Sequence, residues 1–148
     1  MHASAGRVAV PSSPWKMLYW MTWLVVAEFL LGAFRGAPMW LRLLHLALGV
    51  VLVGLAVANS RQIAATSAPG RVKRTARSTI QLAAAAAALG LLLFFDVGAG
   101  RVLVAGVTVW GTLLVAHVFF AVGVLAEAAA IGMAYDMWEE REFEAAGS

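Results

Sequence analysis

The stretch from Met39 to Ala58, MWLRLLHLALGVVLVGLAVA, decides the fold class of this chain. Apart from Arg42 and His45, it carries no ionisable side chain. A helix of about 20 residues is long enough to cross the hydrocarbon core of a bilayer, and a helix satisfies its own backbone hydrogen bonds there. The stretch therefore predicts a transmembrane α-helix.

Three more apolar runs accompany this one in the chain of 148 residues. The first runs from Met17 to Phe34 and is separated from it by the turn-forming residues 36–38. The third span is expected at residues 80–95, and the fourth begins near Val102 without an obvious end before Glu127, with a break at residues 96–101. Because 62% of the residues are hydrophobic, against about 45–50% in ordinary domains, the sequence predicts an all-α integral membrane four-helix bundle.

The bundle is expected to occupy residues 17–133, between an N-terminal segment, 1–16, and an acidic tail, 134–148, that continues span four as a helix. Residues 59–79, between spans two and three, are rich in basic side chains, and the loops at the opposite end hold fewer of them. The positive-inside rule therefore places residues 59–79 in the cytoplasm. Four spans then put the N-terminal segment and the acidic tail in the cytoplasm as well, as in a multi-pass protein of the cell membrane with N-in/C-in orientation.

The composition also excludes several classes of function. The pI is near 10.0, but the basic residues lie beside the spans, where they orient a membrane protein, so the predicted partner is the lipid bilayer and not nucleic acid. The absence of cysteine excludes disulfides, thiolate metal sites, iron–sulfur clusters, covalent c-type haem and cysteine nucleophiles.

Three ionisable residues lie well inside the spans: Glu28 in span one, His45 in span two and His117 in span four. Such residues are costly in a membrane and are candidates for function. Spans two and four run in the same direction, so their histidines can face each other across the bundle. Haem b accepts two axial imidazoles without cysteine, which makes His45 and His117 candidate metal ligands. The simpler interpretation is two neutral histidines that are hydrogen-bonded across helices.

The depth of the two histidines in the membrane tests the haem hypothesis. If span four ends at Glu127, His45 and His117 differ in depth by about six residues, or roughly 9 Å, which is awkward for one haem. If span four ends near Gly132, the two depths match.

Two residues on the face of His45 suit a bound haem. Arg42, one turn toward the outside, is expected to reach a propionate, and Gly49 is expected to leave room for the flat macrocycle. Glu28 has two interpretations of similar weight. It is either a catalytic carboxylate, which binds protons or a cation or serves a substrate, or the partner of a buried histidine or hydroxyl.

The segments Leu44–Gly49, Gly106–Gly111 and Leu114–His117 resemble one half of haem A synthase. The resemblance loosely covers residues 17–125. It implies that His45 and His117 ligate haem b or line a substrate haem, and that the chain oxidises haem O to haem A. Two features depart from the family: Arg42 stands where the family has a glutamate, and the paired loop cysteines are missing.

The leading hypothesis is therefore a haem b membrane protein in electron transfer or haem modification, beside respiratory-chain subunits or as a homo-oligomer. Whether it is an enzyme, a haem A synthase-like oxidoreductase, stays open. One rival is a small proton-coupled multidrug-type exporter that uses Glu28. The other is a cofactor-free accessory subunit that uses its tail, residues 138–143, as a partner contact.

Overall fold

The computed structural model describes residues 13–33 and 36–147, with side chains up to residue 137. The predictions for residues 1–12 and for the side chains of the acidic tail lie outside this range. Four helices account for most of the described chain: α1 (Ser13–Gly32), α2 (Met39–Ala64), α3 (Gly70–Phe94) and α4 (Val109–Gly147). The described residues are all-helical apart from two short strands and the connecting turns.

The four helices pack side by side in sequence order around one bundle, with α4 closing against α1. The helices α2 and α4 therefore lie diagonally opposite each other. We call the end that holds Ser13, Ala64 and Gly70 the basic end, because Lys16 and Arg71 lie there. We call the other end the hairpin end.

Three of the helices are long and apolar enough to cross a membrane: α2, α3 and the α4 segment Val109–Met137. This finding indicates a membrane protein. The helix α1 does not reach the same apolarity, because it contains Lys16 and Glu28 along with four tryptophan or tyrosine residues. Past Met137 the backbone of α4 stays helical to Gly147, as predicted for the tail.

The start of the predicted fourth span is wrong, because residues 102–108 form a β-hairpin. The strand β1 (Val102–Val104) pairs antiparallel with β2 (Val107–Thr108). Ala105 and Gly106 connect them with φ of 50° and 79°. Two successive residues with positive φ form the tight turn that suits a two-residue hairpin loop, so the chain reverses before α4 begins.

The basic segment at residues 59–79 is mostly helical and not an extended loop. The helix α2 continues to Ala64, and α3 begins at Gly70 directly after Pro69, which favours a helix start. Asn59 is buried there and donates a hydrogen bond of 2.6 Å from its Nδ2 to the Pro14 carbonyl. This bond ties α2 to the start of α1.

The hydrophobic core fills the basic end and the middle of the bundle. One cluster of buried residues lies at the basic end and consists of Leu18, Ile63, Ala68, Val72, Ala76, Ala128 and Ile131. A second cluster lies next to it and consists of Met21, Val25, Leu52, Ala56, Ala83 and Val124. By contrast, no side chain is buried in the described residues 26–33, 36–51 and 87–123. The half of the bundle toward the hairpin end is therefore packed more loosely.

Candidate functional site

His45 and His117 lie together in the hairpin half of the bundle, on the diagonal helices α2 and α4. Their ring centroids are 6.1 Å apart, and the ring planes are inclined by 73°. The two residues therefore share one depth, which agrees with a fourth span that extends past Glu127. The sequence alone left this point open.

Glu28 contacts His45 from the neighbouring helix α1. Its Oε2 lies 2.7 Å from His45 Nδ1, and the side chains are only 13% and 28% exposed, respectively. The approach lacks hydrogen-bond alignment, and Oε1 has no hydrogen-bond partner among the described residues. Glu28 lies four residues before the end of α1, so it belongs to the hairpin half of the bundle. Two roles were predicted for Glu28. The structure shows the contact that one of them requires, namely the contact with a histidine.

His117 is held by the backbone of α3. Its Nδ1 lies 2.8 Å from the Ala86 carbonyl oxygen. A carbonyl oxygen can only accept, so Nδ1 must carry the hydrogen and Nε2 of the neutral ring keeps a free lone pair. This arrangement resembles the way metal-binding histidines are oriented, with the second ring nitrogen donating to a carbonyl or carboxylate.

Each histidine also packs against a glycine on the preceding helix. A Cβ atom on Gly32 would lie 3.6 Å from His45 Cε1, and one on Gly90 would lie 3.1 Å from His117 Cε1. The residue four positions before each glycine faces Nδ1 of the same ring: Glu28 for His45 and Ala86 for His117.

The two helical hairpins α1–α2 and α3–α4 thus present their histidines in matching ways. The signal in the sequence for Gly90 is its position at the end of the alanine-rich run of α3, directly after Leu89, just as Gly32 follows Leu31.

Arg42 points toward the end of α3. Its Nη2 donates a hydrogen bond of 2.7 Å to the Phe94 carbonyl, its guanidinium lies 5.1 Å from the Phe94 ring centroid, and Asp96 Oδ2 is 4.0 Å away. Arg42 therefore caps the C-terminus of α3, where the unpaired carbonyls favour a cation. It lies one turn from His45 toward the hairpin end, with other guanidinium donors left over.

Gly49 lies beside the glutamate and not beside an imidazole. A Cβ atom on Gly49 would meet Glu28 Oε2 at 3.9 Å, which is an ordinary contact distance. Its predicted role in leaving room for a macrocycle stays a prediction.

A second polar cluster lies between α3 and α4. Ser78 Oγ and Thr79 Oγ1 donate to the two carboxylate oxygens of Glu127 at 2.6 and 2.8 Å. Glu127, at one of the two ends considered for span four, contacts α3 within the bundle. The hydroxyl pair was missed in the sequence, where Ser78 and Thr79 appeared to end a polar loop.

The protein offers few ligands for a bare metal ion. Among the described residues, no group of three or more histidine, cysteine, aspartate or glutamate side chains is placed to hold one. Two imidazoles this close together would suit a metal whose remaining ligands come from a cofactor, as porphyrin provides them.

No protein-family model, curated protein or solved structure matches the chain. The geometry of the site is therefore the basis for a functional proposal.

Proposed function

We propose that this protein is a membrane-embedded haem b protein in which His45 and His117 are the axial ligands. One observation carries the proposal: the two imidazole rings lie across the bundle with their centroids 6.1 Å apart, with Glu28 Oε2 close to Nδ1 of His45 and the Ala86 carbonyl at Nδ1 of His117. Both Nε2 atoms then stay available for a metal, because the described residues offer them no hydrogen bond.

The separation of the rings suits a shared metal. The ring centroids of His45 and His117 lie 6.1 Å apart, so both imidazoles could hold one metal-containing cofactor, which would supply one-electron chemistry.

The packing around the histidines also suits a large cofactor. The described residues 26–33, 36–51 and 87–123 bury no side chain, so the hairpin half lacks the tight core of the basic half. Interiors of folded proteins are normally close-packed. A flat macrocycle between the helices would supply the missing apolar contact surface.

The ligands themselves favour electron transfer over haem modification. Haem b with two axial histidines supplies reversible one-electron chemistry, and it has no open position for oxygen. The Ala86 carbonyl would orient His117, and Glu28 Oε2 lies 2.7 Å from His45 Nδ1 without hydrogen-bond alignment. Arg42, one turn toward the hairpin end, has donors left that suit a propionate.

We further propose that α1 is a fourth span and that the basic end faces the cytoplasm. The 20 residues of α1 extend about 30 Å, which matches the hydrocarbon core. Its buried residues Leu18, Met21 and Val25 belong to the same core as those of the other three helices. The positive-inside rule then gives the orientation N-in/C-in in the cell membrane.

Haem content tests the proposal. Wild-type protein purified in detergent from haem-supplied cells should contain about one haem b per chain by pyridine extraction. His45→Ala and His117→Ala should each lose most of it, because one axial ligand is gone. His2→Ala, the third histidine of the chain, is the matched control and should keep it. Full haem content in both single variants would sink the proposal.

The exporter alternative makes a different prediction for Glu28. Because the carboxylate lies beside His45 near the hairpin end, it is better placed to orient a ligand than to alternate between two sides of the membrane. If the protein is an exporter, Glu28→Gln should abolish transport. Under that alternative it should leave any haem signal unchanged. A colourless protein that co-purifies with other chains would instead favour the accessory subunit.

A further inference from the structure

Glu127 forms a polar site that the haem proposal does not use. It lies on α4 ten residues after His117, or roughly 15 Å along the helix axis toward the basic end. Ser78 Oγ approaches Oε1 at 2.6 Å and Thr79 Oγ1 approaches Oε2 at 2.8 Å. Both hydroxyls come from α3, so one carboxylate spans the seam between two helices.

The surroundings of this carboxylate are apolar, apart from the two hydroxyls. Thr79 is buried, Val124, three residues before Glu127, is 0% exposed, and Ala128, directly after it, is 3% exposed, whereas Glu127 itself is partly exposed. A carboxylate in such a place needs hydrogen bonds or a proton.

No basic side chain compensates its charge directly. Among the described residues, none forms an ion pair with Glu127. The nearest charged residues along α3 are Arg74 and Arg77, whose side chains are exposed. On α1 the charged residues are Lys16, which lies at the basic end, and Glu28, which lies in the hairpin half.

The hydroxyl hydrogens can be placed in two ways. Ser78 Oγ lies 3.0 Å and Thr79 Oγ1 lies 2.9 Å from the Thr75 carbonyl, so each hydroxyl has a second acceptor besides Glu127. Each hydroxyl has only one hydrogen. When both donate to Glu127, the carboxylate is ionised. When Ser78 donates to Thr75 instead, its oxygen can accept a hydrogen from a protonated Glu127.

We infer that Glu127, Ser78 and Thr79 form a proton-binding site in the half of the bundle near the basic end. A proton from the aqueous phase at that end binds Oε1. The Ser78 hydroxyl then rotates, so that its hydrogen moves from Oε1 to the Thr75 carbonyl, and the new carboxyl O–H donates to Ser78 Oγ. Thr79 keeps its bond to Oε2. Every donor has an acceptor in both states, and release of the proton reverses the step.

The ligand is a proton and not a metal cation. Oxygen pairs at 2.6 and 2.8 Å have the separation of hydrogen-bonded hydroxyl and carboxylate groups. The site also offers a single carboxylate, which is fewer charged ligands than divalent ions usually receive.

Infrared difference spectroscopy on the full chain in lipid vesicles tests the inference. Lowering the pH should produce the carbonyl band of a protonated carboxyl group, which shifts in heavy water and disappears in Glu127→Gln. A Glu127-dependent band that is absent at every accessible pH, or present at every pH, would overturn the inference, because the group would then not exchange its proton.

Ser78→Ala gives a second readout that keeps the glutamate. The protonated carboxyl group would lose the Ser78 oxygen as its acceptor, so its carbonyl band should shift in frequency from that of the wild type. Ser60→Ala on α2, the helix diagonal to α4, is the matched control and should leave the band unchanged. An unchanged band in Ser78→Ala would contradict the two-state hydrogen-bond arrangement. The experiment is independent of bound haem, so its failure leaves the haem proposal intact.

Discussion

The two histidines differ in the group that faces Nδ1. His45 meets the Glu28 carboxylate at 2.7 Å, and His117 meets the neutral Ala86 carbonyl at 2.8 Å. A carboxylate beside a ligating histidine makes the imidazole a stronger donor and stabilises positive charge on the metal. The two predicted axial ligands are therefore electronically unequal.

This inequality predicts the effect of Glu28→Gln. The variant should retain haem with reduced affinity, on the order of 10–100-fold, as is typical when such an orienting partner is lost. Its reduction potential should rise, because the negative charge that favours the ferric state has been removed. A redox titration followed optically measures the shift.

Glu127→Gln is the control for this titration. It removes a carboxylate roughly 15 Å further along α4, so the potential should change much less. Equal potentials in wild type and Glu28→Gln would contradict a role for Glu28 beside the haem.

The histidine pair could be predicted from the sequence because ionisable residues stand out in apolar spans. The contacts of His117 could not, because a backbone carbonyl such as that of Ala86 leaves no trace in residue identity. Ser78 and Thr79 were missed for a related reason: hydroxyl residues are common at helix ends, and only their position opposite Glu127 gives them a role.

At the scale of the helices, glycines set how closely each histidine approaches its neighbour. A Cβ atom on Gly90 would lie 3.1 Å from His117 Cε1 and 3.4 Å from its Nδ1. Contacts at this distance are tight enough that the ring must move. Gly54 on α2, by comparison, has nothing within 4 Å of such an atom.

Gly90→Ala should therefore weaken haem binding by displacing His117 from the Ala86 carbonyl. Gly54→Ala should bind haem as the wild type does. Both changes favour the helix itself by about 0.5–1 kcal/mol, so helix propensity cannot explain a difference between them. Haem titration of the apo-protein measures both affinities. If the two variants bind equally well, the imidazole does not depend on this glycine.

The helices were predicted well because apolar runs of the right length leave few alternatives in a membrane protein. The hairpin at residues 102–108 was missed because its valines and leucine continue the apolar run, and the turn depends on Ala105, which rarely adopts a positive φ. The helical ends at Ala64 and Gly70 were missed because charged residues there were taken to mark a loop, although lysine and arginine favour helices.

At the scale of the whole molecule, the bundle consists of two halves that differ in packing and in the polar residues they contain. The basic half contains both buried clusters and the Glu127 site, and the hairpin half contains the two histidines. The length and apolar composition of the helices are enough to indicate a membrane protein. No detail of the side-chain contacts is needed for that conclusion. The spatial match between the two hairpins needs coordinates, because α1 and α3 share almost no residues besides the leucine–glycine pairs at 31–32 and 89–90.

The central claim is that His45 and His117 together ligate one haem. The most direct measurement is the optical spectrum of the dithionite-reduced protein before and after addition of carbon monoxide. With both axial positions filled, the wild type should show a b-type spectrum that carbon monoxide does not change, whereas His45→Ala or His117→Ala with any residual haem should bind it. A wild-type spectrum that shifts fully with carbon monoxide, or a protein without haem, would contradict the claim.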